Sequence, residues 1–197
     1  MKLAQLTSEE LILKDVVFED RLEAINVLVD KLEQTGKLTD KQMFLDAVLK
    51  REEEGPTCLG EYLAVPHGKS EAVTEPVFAC AFVKEALTWQ GLDGDEPVNM
   101  IFLLAIPPAQ AGSTHMTLLT TLTSSLVDDD FREDLLNASD TKEIMRLFGA
   151  DETAETQEPA EQEAAHEDEM AQDISRVAYP MVLGAGLLIS AFLFMLL

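Results

Sequence analysis

Basic residues are scarce: Lys and Arg number 14 against 37 Asp and Glu in 197 residues, a formal net charge of −23. That shortage excludes nucleic acid as a partner class, because phosphate backbones are gripped by clustered cations. A surface so acidic suits encounters with basic protein surfaces instead. Cysteine is almost absent as well. Cys58 and Cys80 are too few for a disulfide framework or a zinc site, so reduced thiols are expected, with no metal and no cofactor. The opening residues, MKLAQLTSEELILK, hold no long apolar run, and no secretory signal is expected from them.

What is present divides into three regions. Residues 1–150 mix helix and strand signals, and a hydrophobic content of 47% is enough for a core. Residues 151–175, DETAETQEPAEQEAAHEDEMAQDIS, contain no Lys or Arg and almost no large apolar residue. Such a stretch cannot bury enough surface to offset its ordering entropy, so an extended acidic linker is expected, with His166 solvated in it. Residues 177–197, VAYPMVLGAGLLISAFLFMLL, carry no charge. At a rise of about 1.5 Å per residue they match a hydrocarbon core of about 30 Å, and a transmembrane helix is expected.

Within the first region, Asp20 and Glu23 form a capping-box pattern ahead of an apolar stripe of Leu22, Ile25, Val29 and Leu32, closed by Gly36. Thr39 with Gln42 opens a second helix, which Gly55-Pro56 stops, leaving Arg51 near its C-terminal end. The runs 77–83 and 98–106 read as buried strands. Ser113 opens a third helix carrying Met116, Leu119, Leu122 and Leu126. Two more follow from Phe131 and Asp140, and Asp128-Asp129-Asp130 reads as a turn and cap rather than a metal site. Strands interleaved with helices predict an α/β fold, with helices covering a mostly buried sheet.

The informative segment is Gly60-Glu61-Tyr62-Leu63-Ala64-Val65-Pro66-His67-Gly68-Lys69. Proline stiffens the approach to His67, and glycine after it leaves room for another molecule to come close to the ring. Taken alone, a single loop histidine is more often structural or merely exposed than catalytic, although a neutral imidazole at cytoplasmic pH is a competent nucleophile. Arg51 is either a planar cation for an anionic group or a surface arginine near a helix C-terminus. His115 sits at a predicted helix start, where the helix field disfavours imidazolium; it is either a neutral hydrogen-bond donor or a helix-start histidine with no role. Thr57 either orients the site or holds the turn after Gly55-Pro56. Glu61 either orients the site or is a plain exposed carboxylate. Trp89 reads as a partly buried anchor, and Lys69 as solvated.

Arg51-Glu52, Thr57, Gly60-Glu61 and Ala64-Val65-Pro66-His67-Gly68-Lys69 resemble the active-site signature of fructose/mannitol-type enzyme IIA domains of the sugar phosphotransferase system. Trp89, the strand ending Ala105-Ile106-Pro107, and Thr114-His115 follow in the family's order. The resemblance covers about the first 150 residues and implies a mixed sheet flanked by helices on both faces. It implies that His67 accepts a phosphoryl group from the phosphocarrier HPr and passes it to a cysteine of an enzyme IIB domain coupled to a membrane permease. Arg51, His115, Thr57 and Glu61 would support the transfer. The expected location is the cytoplasmic face of a bacterial inner membrane, with residues 177–197 as the anchor. The alternative function is a regulatory module of the same fold whose phosphorylation state is read by a transporter or another partner. One departure stands out. The family commonly has Gly-Ile where this chain has Tyr62-Leu63, and a positive φ there would strain Tyr62.

Overall fold

The computed structural model describes residues 2–108 and 113–150, except for the side chains of 113–116, 118 and 119. All of them fall in the first of two units into which the chain divides, Met1–Thr156 and Gln157–Leu197. The expected linker at 151–175 and membrane helix at 177–197 lie outside the described residues. Among the described residues no helix is long and apolar enough to cross a membrane.

Six strands form one mixed sheet. β1 (Ile12–Val16), β5 (Val77–Gln90) and β6 (Asp95–Ile106) run side by side, followed by β3 (Leu63–Ala64) and β2 (Cys58–Gly60), while β4 (His67–Lys69) also pairs with β6. β5 and β6 are antiparallel, whereas β1 lies parallel to β5, and β3 and β4 lie parallel to β6. Both central strands extend well beyond the expected runs, because their ends continue into the hairpin around Gly91–Gly94. Residues 77–83 and 101–106 are buried throughout, as a sheet covered on both faces requires.

The pleat sorts those side chains into two cores. Ala79, Ala81, Ile101 and Leu103 face α1 (Arg21–Gln34) and α2 (Lys41–Glu54). Phe78, Phe82, Phe102 and Leu104 face the opposite way. There they meet residues of α3 (Ser113–Leu126), α4 (Asp129–Asn137) and α5 (Thr141–Leu147). Helices on both faces of a mixed sheet is the expected architecture. Each fully buried Leu, Ile or Phe stabilises it by about 1.5–3 kcal/mol before the cost of ordering.

Helix ends follow local chemistry, with two corrections. Asp20 caps α1 by accepting the Glu23 amide at 2.9 Å, and Gly36, at φ +72°, ends it with Lys37 N–H donating to the Leu32 carbonyl. Leu22, expected on the buried stripe, is exposed, and Ala24 and Leu28 are buried alongside Ile25, Val29 and Leu32. In α2 the cap is Asp40, not Thr39. Asp40 accepts the Met43 amide at 2.9 Å, while Thr39 is still tied to the Ala72 carbonyl beside the Leu38–Val73 bridge. Asp128 caps α4 by accepting the Phe131 amide at 3.0 Å, as its sequence setting predicts.

Candidate functional site

β3 and β4 are two short pieces of one edge, both paired with β6 and separated by Val65-Pro66. The Pro66 carbonyl accepts the Leu104 amide at 2.9 Å, and the Ser70 amide donates to Ile106 at 3.1 Å, so His67 is clamped from both sides. Gly68 does not open space for an incoming molecule, as the sequence suggested. A Cβ there would lie 2.7 Å from Val48 Cγ2 and 2.9 Å from Phe44 Cε2. The missing side chain is what lets α2 press against β4 and bring the last turn of the helix to His67.

From that turn Arg51 donates through Nε to Nε2 of His67 at 3.0 Å, and through Nη1 to the Gly55 carbonyl at 3.0 Å. On the other side of the half-buried ring, Nδ1 lies 3.0 Å from the Val65 carbonyl oxygen. Guanidinium has no acceptor and a carbonyl has no donor. The two contacts therefore select one tautomer: Nδ1 carries the proton and Nε2 carries the lone pair. A neutral imidazole held this way presents a single oriented nucleophile, with a permanent cation beside it.

The remaining predicted residues are placed as follows. Thr57 is buried and one step removed: its hydroxyl donates to Glu52, and its carbonyl accepts the Val65 amide at 2.9 Å. Glu61 meets buried Arg132 on α4, with Oε2 3.5 Å from Nη2, and not the His67–Arg51 pair; Arg132 also donates to the Leu126 carbonyl at the end of α3. His115 lies in the first turn of α3, and its side chain is outside the described residues. Tyr62 does adopt a left-handed conformation, φ +61°, following Gly60 at +79° and Glu61 at +51°. Its carbonyl accepts both the Asn99 and Met100 amides, which holds this turn against β6. Among the described residues no group of three or more His, Cys, Asp and Glu side chains is arranged to hold a metal ion.

Two residues were undervalued by sequence reasoning. Trp89 is fully buried rather than partly so, and its Nε1 donates to Glu52 at 3.2 Å. Glu52 stands beside Arg51 in the motif, where nothing marks it as a partner of Trp89. Its link to a residue 37 positions away has no local signal.

The family model described as "Phosphoenolpyruvate-dependent sugar phosphotransferase system, EIIA 2" matches residues 5–150. The chain belongs to this EIIA family. It is 46% identical over 145 residues to the PTS system 2-O-alpha-mannosyl-D-glycerate-specific EIIABC component of Escherichia coli, which covers 74% of this chain and 22% of that protein. The chain thus spans about a fifth of that relative's length. The fructose-specific EIIA component of Haloferax volcanii is 34% identical over 125 residues, 64% of this chain and 80% of its own. Among solved structures, the nitrogen regulatory protein IIA-Ntr from Neisseria meningitidis superposes with a TM-score of 0.68 at 23% identity, covering 74% of this chain and 98% of that one. At that identity the likeness establishes the EIIA fold alone.

Proposed function

We propose that this EIIA domain is a phosphoryl carrier in which Nε2 of His67 takes the phosphoryl group from phospho-HPr and hands it to a cysteine of an enzyme IIB domain. The observation that carries the proposal is the tautomer imposed on His67 by Arg51 and the Val65 carbonyl. In the first step the Nε2 lone pair forms the new N–P bond. The N–P bond to the donor histidine breaks, and its electron pair returns to the donor ring. The His67 ring gains positive charge as it attacks, and the Nδ1–H···O=C contact to Val65 strengthens with it, as a preorganised acceptor should. Arg51, displaced from Nε2 by the arriving phosphorus, remains beside the equatorial oxygens as a planar multi-donor cation. In the second step a thiolate attacks phosphorus, and the electron pair of the breaking bond restores the Nε2 lone pair.

His115 and Glu61 are assigned supporting roles: His115 as a neutral donor from the start of α3, Glu61 through its tie to Arg132. The IIB and permease partners follow from the EIIABC relative, whose name joins the three components in one protein. Attachment to a membrane rests on the uncharged stretch 177–197. The second reading, a module whose phosphorylation state controls another protein, is favoured by the 27% identity over 148 residues to the nitrogen regulatory protein of Bradyrhizobium diazoefficiens.

The test is incubation with phosphoenolpyruvate, enzyme I and HPr. Wild-type protein should acquire one acid-labile, base-stable phosphate, and His67→Ala none. Undiminished labelling of His67→Ala overturns the assignment. Onward transfer to IIB separates the carrier from the regulator.

A further inference from the structure

The last turn of α2 carries two neighbouring side chains with different partners. Arg51 reaches His67. Glu52, half-buried, has both carboxylate oxygens engaged by neutral donors: Oε1 by the Thr57 hydroxyl and Oε2 by Trp89 Nε1 at 3.2 Å. Hydrogen bonds to an ionised acceptor are among the stronger ones available. Both donors are buried, so each would be left unpaired without this carboxylate, a costly outcome in a folded interior. Helix ends fray, and α2 ends two residues later, at Glu54. Glu52 pins that fraying end to β5 through Trp89 and to the segment entering β2 through Thr57. From Thr57 the connection runs on through the main chain. The Thr57 carbonyl holds the Val65 amide at 2.9 Å, and the Val65 carbonyl holds Nδ1 of His67. One carboxylate thus anchors the segments that approach the imidazole from both of its nitrogens.

We propose that Glu52 is a positioning residue for phosphoryl transfer, holding the C-terminal turn of α2 where the Arg51 guanidinium meets Nε2; this rests on the reading of His67 as the acceptor. It touches neither His67 nor the phosphoryl group and acts through its neighbour. A displacement of about 1 Å in a group that aligns a reaction costs up to roughly 100-fold in rate.

The experiment is single-turnover labelling of the full chain by phospho-HPr, in a cycle of Glu52→Ala, Arg51→Ala and the double variant, with Glu52→Gln as the conservative control. Glu52→Ala should be slower by roughly 10- to 100-fold. Glu52→Gln, which keeps an acceptor for Trp89 and a polar partner for Thr57, should recover most of the rate. In the Arg51→Ala background Glu52→Ala should cost no more than about 2-fold, because groups acting as one unit are non-additive. Trp89 is the single tryptophan, so its emission reads the contact directly: it should shift in Glu52→Ala and stay put in Arg51→Ala. Should Glu52→Ala not fold, Thr57→Val replaces it in the cycle, with the same non-additivity expected. Wild-type rates in Glu52→Ala, losses that multiply across the cycle, or an unmoved Trp89 emission overturn the proposal. Labelling of His67→Ala at the wild-type rate would instead sink the acceptor assignment itself, so the two failures are distinguishable.

Discussion

The guanidinium of Arg51 covers the lone pair of His67 that the proposed transfer would use: Nε lies 3.0 Å from Nε2, with Nη1 anchored on the Gly55 carbonyl. In the proposed transfer this cation shifts aside as phosphorus arrives. On that proposal it then faces the phosphoryl oxygens without having travelled far.

Arg51→Ala is therefore expected to slow labelling by roughly 10- to 1,000-fold, the scale for losing one electrostatic stabiliser. Arg51→Lys should behave nearer to Ala than to wild type, since lysine keeps the charge but lacks the planar fork that serves Nε2 and Gly55 together. Rapid-quench measurement of both variants checks this. A wild-type rate in Arg51→Lys would show that charge alone suffices.

Tyr62→Gly should stabilise the domain. A non-glycine residue in the left-handed region costs about 1–2 kcal/mol, and Tyr62 occupies it at φ +61° with 54% of its surface exposed. Glycine gives back about 0.5–1 kcal/mol through the looser unfolded chain. The net gain is about 0.5–1 kcal/mol, or roughly 1–4 °C in Tm for a domain of this size. A melting experiment that finds Tyr62→Gly less stable would mean that the ring contributes packing of its own.

Both thiols should be unreactive in the native protein. Cys80 is fully buried, and burial alone pushes its thiol far above the ordinary range. Cys58 is raised first by burial; a backbone contact with Gly60 partly opposes this, and the charges of Glu96 and Glu52 add to the rise. A raised pKa means less thiolate at pH 7.5, hence slow reaction with a disulfide reagent. Neither should react within minutes before unfolding, and both should react after it. By the same sign, the stabilisation tied to these protonated thiols is complete below the unfolded pKa near 8.5 and declines as pH rises beyond it.

Truncation after Ser175 tests the proposed anchor. Full-length protein should sediment with membranes through a high-salt or carbonate wash, and the truncated protein should stay in the supernatant while still accepting phosphate at His67. Full-length protein that remains in the supernatant would overturn the anchor.

The sequence alone was enough to point to the family and to place most of the helices, because both depend on short-range signals. Asp20 with Gly36 brackets α1, Gly55-Pro56 stops α2, and Pro66-His67-Gly68 beside Arg51-Glu52 marks the family's site. These depend on capping, on φ preference and on a motif spanning fewer than twenty residues. The short strands β1 to β4 went unread for the opposite reason: two to five residues show no periodicity, and such strands exist only because β5 and β6 offer them an edge. Tertiary structure also decided what Gly68 is for, since only the close approach of Val48 and Phe44 reveals that the glycine admits a helix. It decided the tautomer of His67, which needs the Val65 carbonyl and Arg51 at opposite nitrogens of one ring. And it joined Glu52 to Trp89, two residues brought within a hydrogen bond by the docking of α2 on the sheet, a contact set by long-range packing that leaves no trace in local sequence.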